Sequence, residues 1–354
     1  MVGGTHRVRV EPVGLEVDCR EDQSILDACL RSGIWLPHAC THGTCGTCKA
    51  ELLEGSVEHG DASGFALMDF ERDEGKVLLC CARPLGDVMV EAEVDVEEGV
   101  NFHPVRDHHG TVVEIEDCAS DTRRLRVALE DDLLFNPGQY VQVQVPGAGV
   151  GRSYSLANPP SQPRALELHV RRTTGGLASE QWVFDTLRVG DEMDLSGPFG
   201  RFFFHPLREE PILMVAGGTG LAPIESMVRH VLELGLDRQI TLYQGARSLA
   251  HSYDTDMLAR LRDAHPDRFR YRPCLDADAV DGFEEGFVSD VIDRDHSGTL
   301  EGHVAYVCGP PPMVDTTLRT LMRKRLFGRS IFREDFYDES DKARGAVRSP
   351  LLKR

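Results

Sequence analysis

The run Cys40-Thr-His-Gly-Thr-Cys45-Gly-Thr-Cys48, joined about thirty residues later by Cys80-Cys81, restricts this chain more than any other stretch. Its C-x4-C-x2-C…C spacing is the plant-type arrangement of four thiolates around two irons. Such a centre needs sulfur ligands converging from a short loop. Gly43 and Gly46 let the backbone wrap closely enough for amides to reach the cluster sulfurs. The competing chemistries fit less well. A structural zinc site wants two separated C-x2-C-like pairs, whereas the second group here is an adjacent doublet that cannot both ligate comfortably. A Rieske centre places two histidines on one iron; Cys40-x-His42 begins like one, but no later C-x2-H completes it. A thioredoxin-like Cys45-x-x-Cys48 would need neither Cys40 nor the later cysteines. The spacing therefore predicts a [2Fe–2S] cluster on Cys40, Cys45, Cys48 and one of Cys80 or Cys81, with His38 and His42 as loop residues.

At 354 residues the chain exceeds one ordinary core, so two or three domains are expected. Its 41% apolar and 27% charged residues suit a soluble globular protein. The opening residues lack the apolar segment of a signal peptide, and the apolar run 211–218 falls far short of a membrane span. A cytoplasmic location is expected, and there ten cysteines point to thiolate chemistry rather than disulfides. The net charge of −19 argues against a nucleic-acid partner. Residues 1–97 carry 8 Lys and Arg against 19 Asp and Glu, a net of −11. Such a run is commonly a solvated surface, but a field of this sign also steers a basic partner.

Three segments and a tail are expected. Residues 1–98 open with a hairpin at His6–Val10 and Gly14–Cys19. A helix follows near Ser24–Ser32, capped by Gly33, then the cysteine loop and a last strand at Asp87–Val94. The order suits an α+β β-grasp domain. Residues 104–208 are strand-rich, with runs at Gly110–Glu116, Thr122–Leu129, Tyr140–Val145, Ala165–Arg171 and Glu192–Leu195, which predicts an antiparallel β-barrel. From 209 to 338 strands and helices alternate, the pattern of an α/β domain with a parallel sheet. Residues 339–354 form a polar tail. Asp293-Arg-Asp295-His-Ser-Gly298 imitates the start of an EF-hand, but its twelfth position is Val304, so a polar turn is expected.

Two further motifs sit where α/β folds hold ligands. Gly217-Gly218-Thr219-Gly220-Leu-Ala-Pro223 follows a buried strand and opens a helix, a placement suited to phosphate. It is not the G-x-G-x-x-G fingerprint, and standing alone it would be an ordinary glycine turn. Cys308-Gly309-Pro310-Pro-Pro-Met313 follows the last strand recognised in the sequence, at a carboxyl end. Arg247, after the strand Ile240–Tyr243, could favour a 2′-phosphate on the coenzyme.

Arg152-Ser153-Tyr154-Ser155, with Asn136-Pro-Gly-Gln-Tyr140, His169-Val170-Arg171 and Gly175-Gly176-Leu177-Ala178-Ser179 around it, resembles the ferredoxin–NADP⁺ reductase-like flavoproteins. The G-G-x-G-x-x-P turn at 217–223 matches the nicotinamide site of the same family. The resemblance implies that Arg152 pairs with flavin phosphates, Tyr154 packs on the isoalloxazine and Ser155 lies near N5. The 175–179 turn would cradle pyrophosphate, Phe336 would cover the flavin ring, and Cys308 would lie beside the nicotinamide C4. At whole-chain scale, Leu79-Cys-Cys-Ala-Arg-Pro84, Ser153-Tyr-Ser-Leu-Ala-Asn-Pro-Pro160 and the domain order resemble the phenol hydroxylase reductases. That likeness selects Cys80 as the fourth ligand. It also implies FAD, NADH and, as partner, the diiron oxygenase component of a multicomponent monooxygenase, docking at the acidic first segment.

The parts make one chemical argument. Nicotinamide delivers electrons in pairs, a [2Fe–2S] cluster takes them singly, and a flavin converts between the two. Two rivals remain at this level: a reductase of the same build serving a Rieske dioxygenase or alkane monooxygenase, and a non-enzymatic iron–sulfur redox sensor.

Overall fold

The computed structural model describes residues 4–39, 41–276 and 280–336, which divide into two compact units. The first comprises the chain to Asp107 together with Gly197–Arg201; the second holds His108–Ser196 and the chain from Phe202 onward.

In the first unit, β1 (Thr5–Glu11) and β2 (Leu15–Arg20) form the expected antiparallel hairpin, with Val8 opposite Val17. Helix α1 (Ile25–Arg31) starts because the Ser24 hydroxyl accepts the Asp27 N–H at 3.2 Å. It stops at Ser32, followed by left-handed Gly33. Its buried face is Ile25, Leu26, Ala28, Cys29 and Leu30. After the cysteine loop come β3 (Lys49–Glu54), β4 (Val57–Glu58), the short α2 (Asp69–Asp73), β5 (Lys76–Leu78), β6 (Arg83–Pro84) and β7 (Val88–Glu91). The main sheet runs β2-β1-β7-β3-β5, with β7 parallel to β1. Strands β3 and β5 lack clean alternation, and for that reason the sequence did not reveal them.

The second unit begins with six strands: β8 (Arg106–Ala119), β9 (Thr122–Leu129), β10 (Tyr140–Val145), β11 (Val150–Ser155), β12 (Ala165–Arg171) and β13 (Glu192–Phe199). Their order is β11-β10-β13-β8-β9-β12, and a bridge between Leu156 and Leu168 links the two ends. Leu125, Val127, Val141, Val143, Leu166 and Leu168 fill the interior at every second position of their strands, and in β12 the intervening Glu167 and His169 are buried as well.

The remaining sheet holds β14 (Ile212–Gly217), β15 (Ile240–Ala246), β16 (Phe269–Leu275), β17 (Glu284–Glu285), β18 (Val304–Gly309) and β19 (Ile331–Asp335), all parallel in the order β17-β16-β15-β14-β18-β19. Helices α3 (Leu221–Glu233) and α4 (Thr255–Ala264) pack with one apolar cluster, and α5 (Val288–Asp295) and α6 (Pro311–Arg323) with the other. Both faces are covered, so β14 reads as an unbroken apolar run: Met214 and Ala216 join the first cluster, Leu213 and Val215 the second. The EF-hand imitation is corrected here. Asp293 and Asp295 lie in the last turn of α5, where Asp295 accepts from Tyr243 at 3.0 Å and Arg272 at 2.8 Å; only the following residues turn.

Candidate functional site

The cysteine loop is shaped by left-handed backbone. Thr41, Gly43 and Gly46 have φ of 56°, 79° and 72°. A Cβ on Gly43 would come within 2.6 Å of the Cys81 sulfur and 3.0 Å of the Asp61 carbonyl, so only glycine fits. The Leu79 N–H donates to the Cys48 carbonyl at 3.1 Å, which lays the Cys80 segment beside Cys48. Cys45, Cys48, Cys80 and Cys81 are thiols rather than disulfides, and Cys48 is buried. Soft sulfur donors on a tightly wound loop fit an iron–sulfur cluster. Cys40 lies outside the described residues. Beside the loop, His38 is fully buried: Nδ1 meets the Leu36 carbonyl at 2.8 Å and Nε2 accepts the Gly200 N–H at 3.2 Å. Both ring nitrogens are engaged, in keeping with a structural loop residue.

In the barrel, β11 presents Arg152 and Ser153 to solvent and buries Ser155. Tyr154 packs on the barrel core, and burial pushes its hydroxyl up to about 12 against the pull of Arg152. The 175–179 turn opens an eight-residue π-helix, Leu177–Phe184. A Cβ on Gly176 would meet the Ser179 hydroxyl at 2.4 Å and the Thr173 carbonyl at 2.8 Å. The Gly175 N–H donates to Glu180 at 2.7 Å, the Gly176 N–H donates to Thr173, and the Ser179 hydroxyl accepts from Thr173 at 3.1 Å. Phosphate at this turn would therefore meet the amides of Leu177, Ala178 and Ser179, at the helix N-terminus. Exposed guanidinium and helix-start donors fit a flavin nucleotide's phosphates.

The two glycine motifs of the parallel sheet meet. Strands run outward from β14 in opposite directions, through β15 to β17 on one side and β18 to β19 on the other, so the switch point lies between β14 and β18. Open α/β sheets bind ligands at that place. A Cβ on Gly220 would stand 2.5 Å from the Cys308 carbonyl, and one on Gly309 would stand 2.9 Å from the Gly217 carbonyl. Met313 closes the group, its sulfur 2.5 Å from where a Gly217 Cβ would be. Gly218, with φ 53° and nothing near its open side, leads into α3 (which carries Pro223 in its first turn) by way of a 3-10 turn, Gly218–Gly220. Cys308 is fully buried, and the Phe336 N–H donates to the Gly309 carbonyl at 3.0 Å, which sets Phe336 beside this turn. Glycine backbone at a helix start fits a dinucleotide's phosphates. Arg247 is exposed beyond β15. Asp276 follows β16, its carboxyl raised by partial burial with Arg247 pulling it back.

Sequence reasoning missed what links this turn to the barrel strand. The Tyr253 hydroxyl lies 3.2 Å from both the Gly218 carbonyl and His169 Nδ1. His169 Nε2 reaches Glu167 at 3.4 Å. Glu167 also pairs with Arg124 at 3.3 Å, and Arg124 bonds Asp254 and Glu116. Burial works against the charge on Glu167, but His169, Arg124 and Arg229 together pull its carboxyl down to about 2. Buried Glu225 moves the other way: burial first, then the Asp254 and Glu167 charges, raise it well above the ordinary range. The available signal was Glu167 and His169 two apart on a strand, both therefore on one face.

Residues 8–85 match the 2Fe-2S iron-sulfur cluster binding domain, 109–204 the oxidoreductase FAD-binding domain, and 214–319 the oxidoreductase NAD-binding domain. The chain is 45% identical over 354 residues to the reductase component DmpP of a phenol 2-monooxygenase from Pseudomonas sp. (strain CF600), covering 99% of each. It is 42% identical to the reductase subunit of an aromatic O-demethylase from an Amycolatopsis species, over 91% of this chain and 96% of that one. Among solved structures, the Amycolatopsis cytochrome P450 reductase GcoB superposes with a TM-score of 0.87 at 41% identity, covering 94% of this chain and 99% of its own.

Proposed function

The chain belongs to the family of phenol 2-monooxygenase reductase components, and on that premise we propose how its residues carry electrons from NADH to an oxygenase. It is a flavin iron–sulfur oxidoreductase, passing electrons from NADH by way of FAD and a [2Fe–2S] cluster to the oxygenase component of a monooxygenase. When bound, FAD accepts an electron pair and yields it singly, and the cluster carries one electron at a time. The observation that carries the proposal is the interlock of Gly217, Gly220, Gly309 and Met313 at the sheet's switch point.

In this proposal Gly217–Gly220 and Pro223 hold the dinucleotide phosphates at the start of α3, and Gly309, Pro310 and Met313 shape the floor for the nicotinamide. Cys308 would lie beside the nicotinamide ring, and Phe336 would cover the flavin ring. Arg152 neutralises flavin phosphates through its fork of donors. Ser153, Tyr154 and Ser155 line the isoalloxazine, and Ser155 offers its hydroxyl beside N5. His169, Val170 and Arg171 supply the neighbouring strand, and Gly176–Ser179 the pyrophosphate turn. Cys40, Cys45, Cys48 and Cys80 ligate the irons. The segments 1–98, 104–208 and 209–338 act as the electron-transfer, flavin and nicotinamide domains. Asp276 suits a free ribose 2′-hydroxyl, whereas Arg247 would tolerate a phosphate there, so NADH is preferred over NADPH by a margin that Arg247 narrows. No helix among the described residues is long and apolar enough to cross a membrane, and we place the protein in the cytoplasm. The acidic first unit is the docking side for the oxygenase.

A second acceptor class has a specific observation behind it, the likeness to a cytochrome P450 reductase. Purified holoprotein tested with NADH and either a phenol-type oxygenase or a P450 separates the two. Turnover only with the P450 would reassign the partner.

A further inference from the structure

Resting on the reading that an oxygenase takes electrons from the first unit, we propose that Phe65, Met68 and Phe70 form the apolar anchor of that docking surface. Single exposed apolar residues are ordinary, and most of those on this protein are scattered. These three fall within six residues and are 95%, 48% and 57% exposed. Ala66 and Leu67 between them are buried and fix the segment, while the three large side chains project outward.

The segment is fastened to the cysteine loop. The Ser63 N–H donates to the Gly43 carbonyl at 3.0 Å, and Ala66 packs against Gly46. Lys49, one residue after Cys48, pairs with Glu71 at 2.5 Å, and Arg72 donates to the Ala62 carbonyl at 3.0 Å. The patch is thus held beside the ligand loop where an acceptor must approach. Its rim is acidic: Asp61, Asp69, Asp73 and Glu74 are all exposed.

Phe and Met are enriched at interface cores, and a charged rim sets orientation and encounter rate. The occupant that fits is the oxygenase's electron-entry face, an apolar recess bordered by Lys and Arg. An anionic membrane would be repelled by the same rim. A second copy of this chain would bring its own acidic rim against it.

The test compares wild-type holoenzyme with a variant carrying Phe65→Ser, Met68→Ser and Phe70→Ser, using the oxygenase component of the Pseudomonas phenol 2-monooxygenase as probe. The variant should raise the half-saturating oxygenase concentration roughly tenfold or more, while NADH bleaching and ferricyanide reduction stay at wild-type rates. A second variant, Asp69→Asn with Asp73→Asn and Glu74→Gln, should flatten the salt dependence of oxygenase reduction. An unchanged half-saturation in the triple Ser variant overturns the anchor and leaves the acceptor reading intact. A wild-type protein that bleaches with NADH yet cannot reduce the oxygenase overturns both.

Discussion

The cysteine loop and the nicotinamide turn both depend on glycine, yet they are built from opposite resources. In the loop, the proposed ligands are side chains, three of them only a few residues apart, and left-handed glycines bend the backbone among them. In the turn, the proposed binding group is the backbone, and two segments about ninety residues apart interlock to shape it. The first is local chemistry, the second is packing. Damage to them should therefore differ in kind, one deleting a redox centre and the other degrading a binding surface.

The largest expected effect is at the loop. Cys48→Ser should abolish the cluster's absorption and NADH-driven cytochrome c reduction, while ferricyanide reduction through the flavin persists. Loss of both activities would show that the loop and the nucleotide sites cannot be separated. Next is Gly220→Val, whose Cβ would sit 2.5 Å from a main-chain oxygen. Flavin bleaching by NADH should slow by about a hundredfold or more, with flavin and cluster still bound and roughly 1–3 kcal/mol of stability lost. Wild-type bleaching would remove the interlock from the account.

Third, the first unit is acidic on its surface and holds Asp95–Arg201 as a partly buried pair, whereas the second holds a larger buried network centred on Arg124. Arg124→Ala leaves the largely buried Asp254 carboxylate without its guanidinium and removes one of several partners of Glu167, and should cost about 3–5 kcal/mol in a thermal or denaturant melt. A loss below about 1 kcal/mol would mean that water already screens the group.

The smallest effect sharpens this contrast through pH. In the first unit, Asp95 sits beside Arg201 at 2.6 Å; burial raises its carboxyl from 3.8 to about 6, although Arg201 opposes. An acid raised on folding favours the native state at low pH, and that advantage is lost as pH climbs from about 4 through about 6. Glu167, depressed from 4.5 to about 2, does the reverse: its stabilisation is full above about 4.5 and lost as pH falls toward 2. Each is worth on the order of 3 kcal/mol at the limit. Asp95→Asn should remove the decline in stability between pH 4 and 6, read as Tm against pH, and Glu167→Gln should remove the acid-side decline. Slopes unchanged from wild type would contradict the assignments.

What the sequence disclosed follows the same division. Spacing among Cys45, Cys48 and Cys80, the stop at Gly33, and the alternation of β9, β10 and β12 are close in sequence, and they were legible. Residues whose role arises only in three dimensions were not. Tyr253 carries no motif of its own, and its link to Gly218 exists because β12 and the nicotinamide turn come together. Strands β3 and β5 hid because neither alternates cleanly. Helix α5 hid behind acidic residues that mimic a calcium loop. The Phe65 patch was visible as letters, but its exposure was not, since apolar residues in a run ordinarily signal a core.

The central claim, that one chain carries electrons from NADH through a flavin to a cluster, is tested most directly by anaerobic titration of the holoprotein with NADH. Flavin and iron–sulfur bands should bleach together, ending near about 1.5 NADH per chain, two electrons for the flavin and one for the cluster. Bleaching of the flavin alone, or of neither centre, would contradict it.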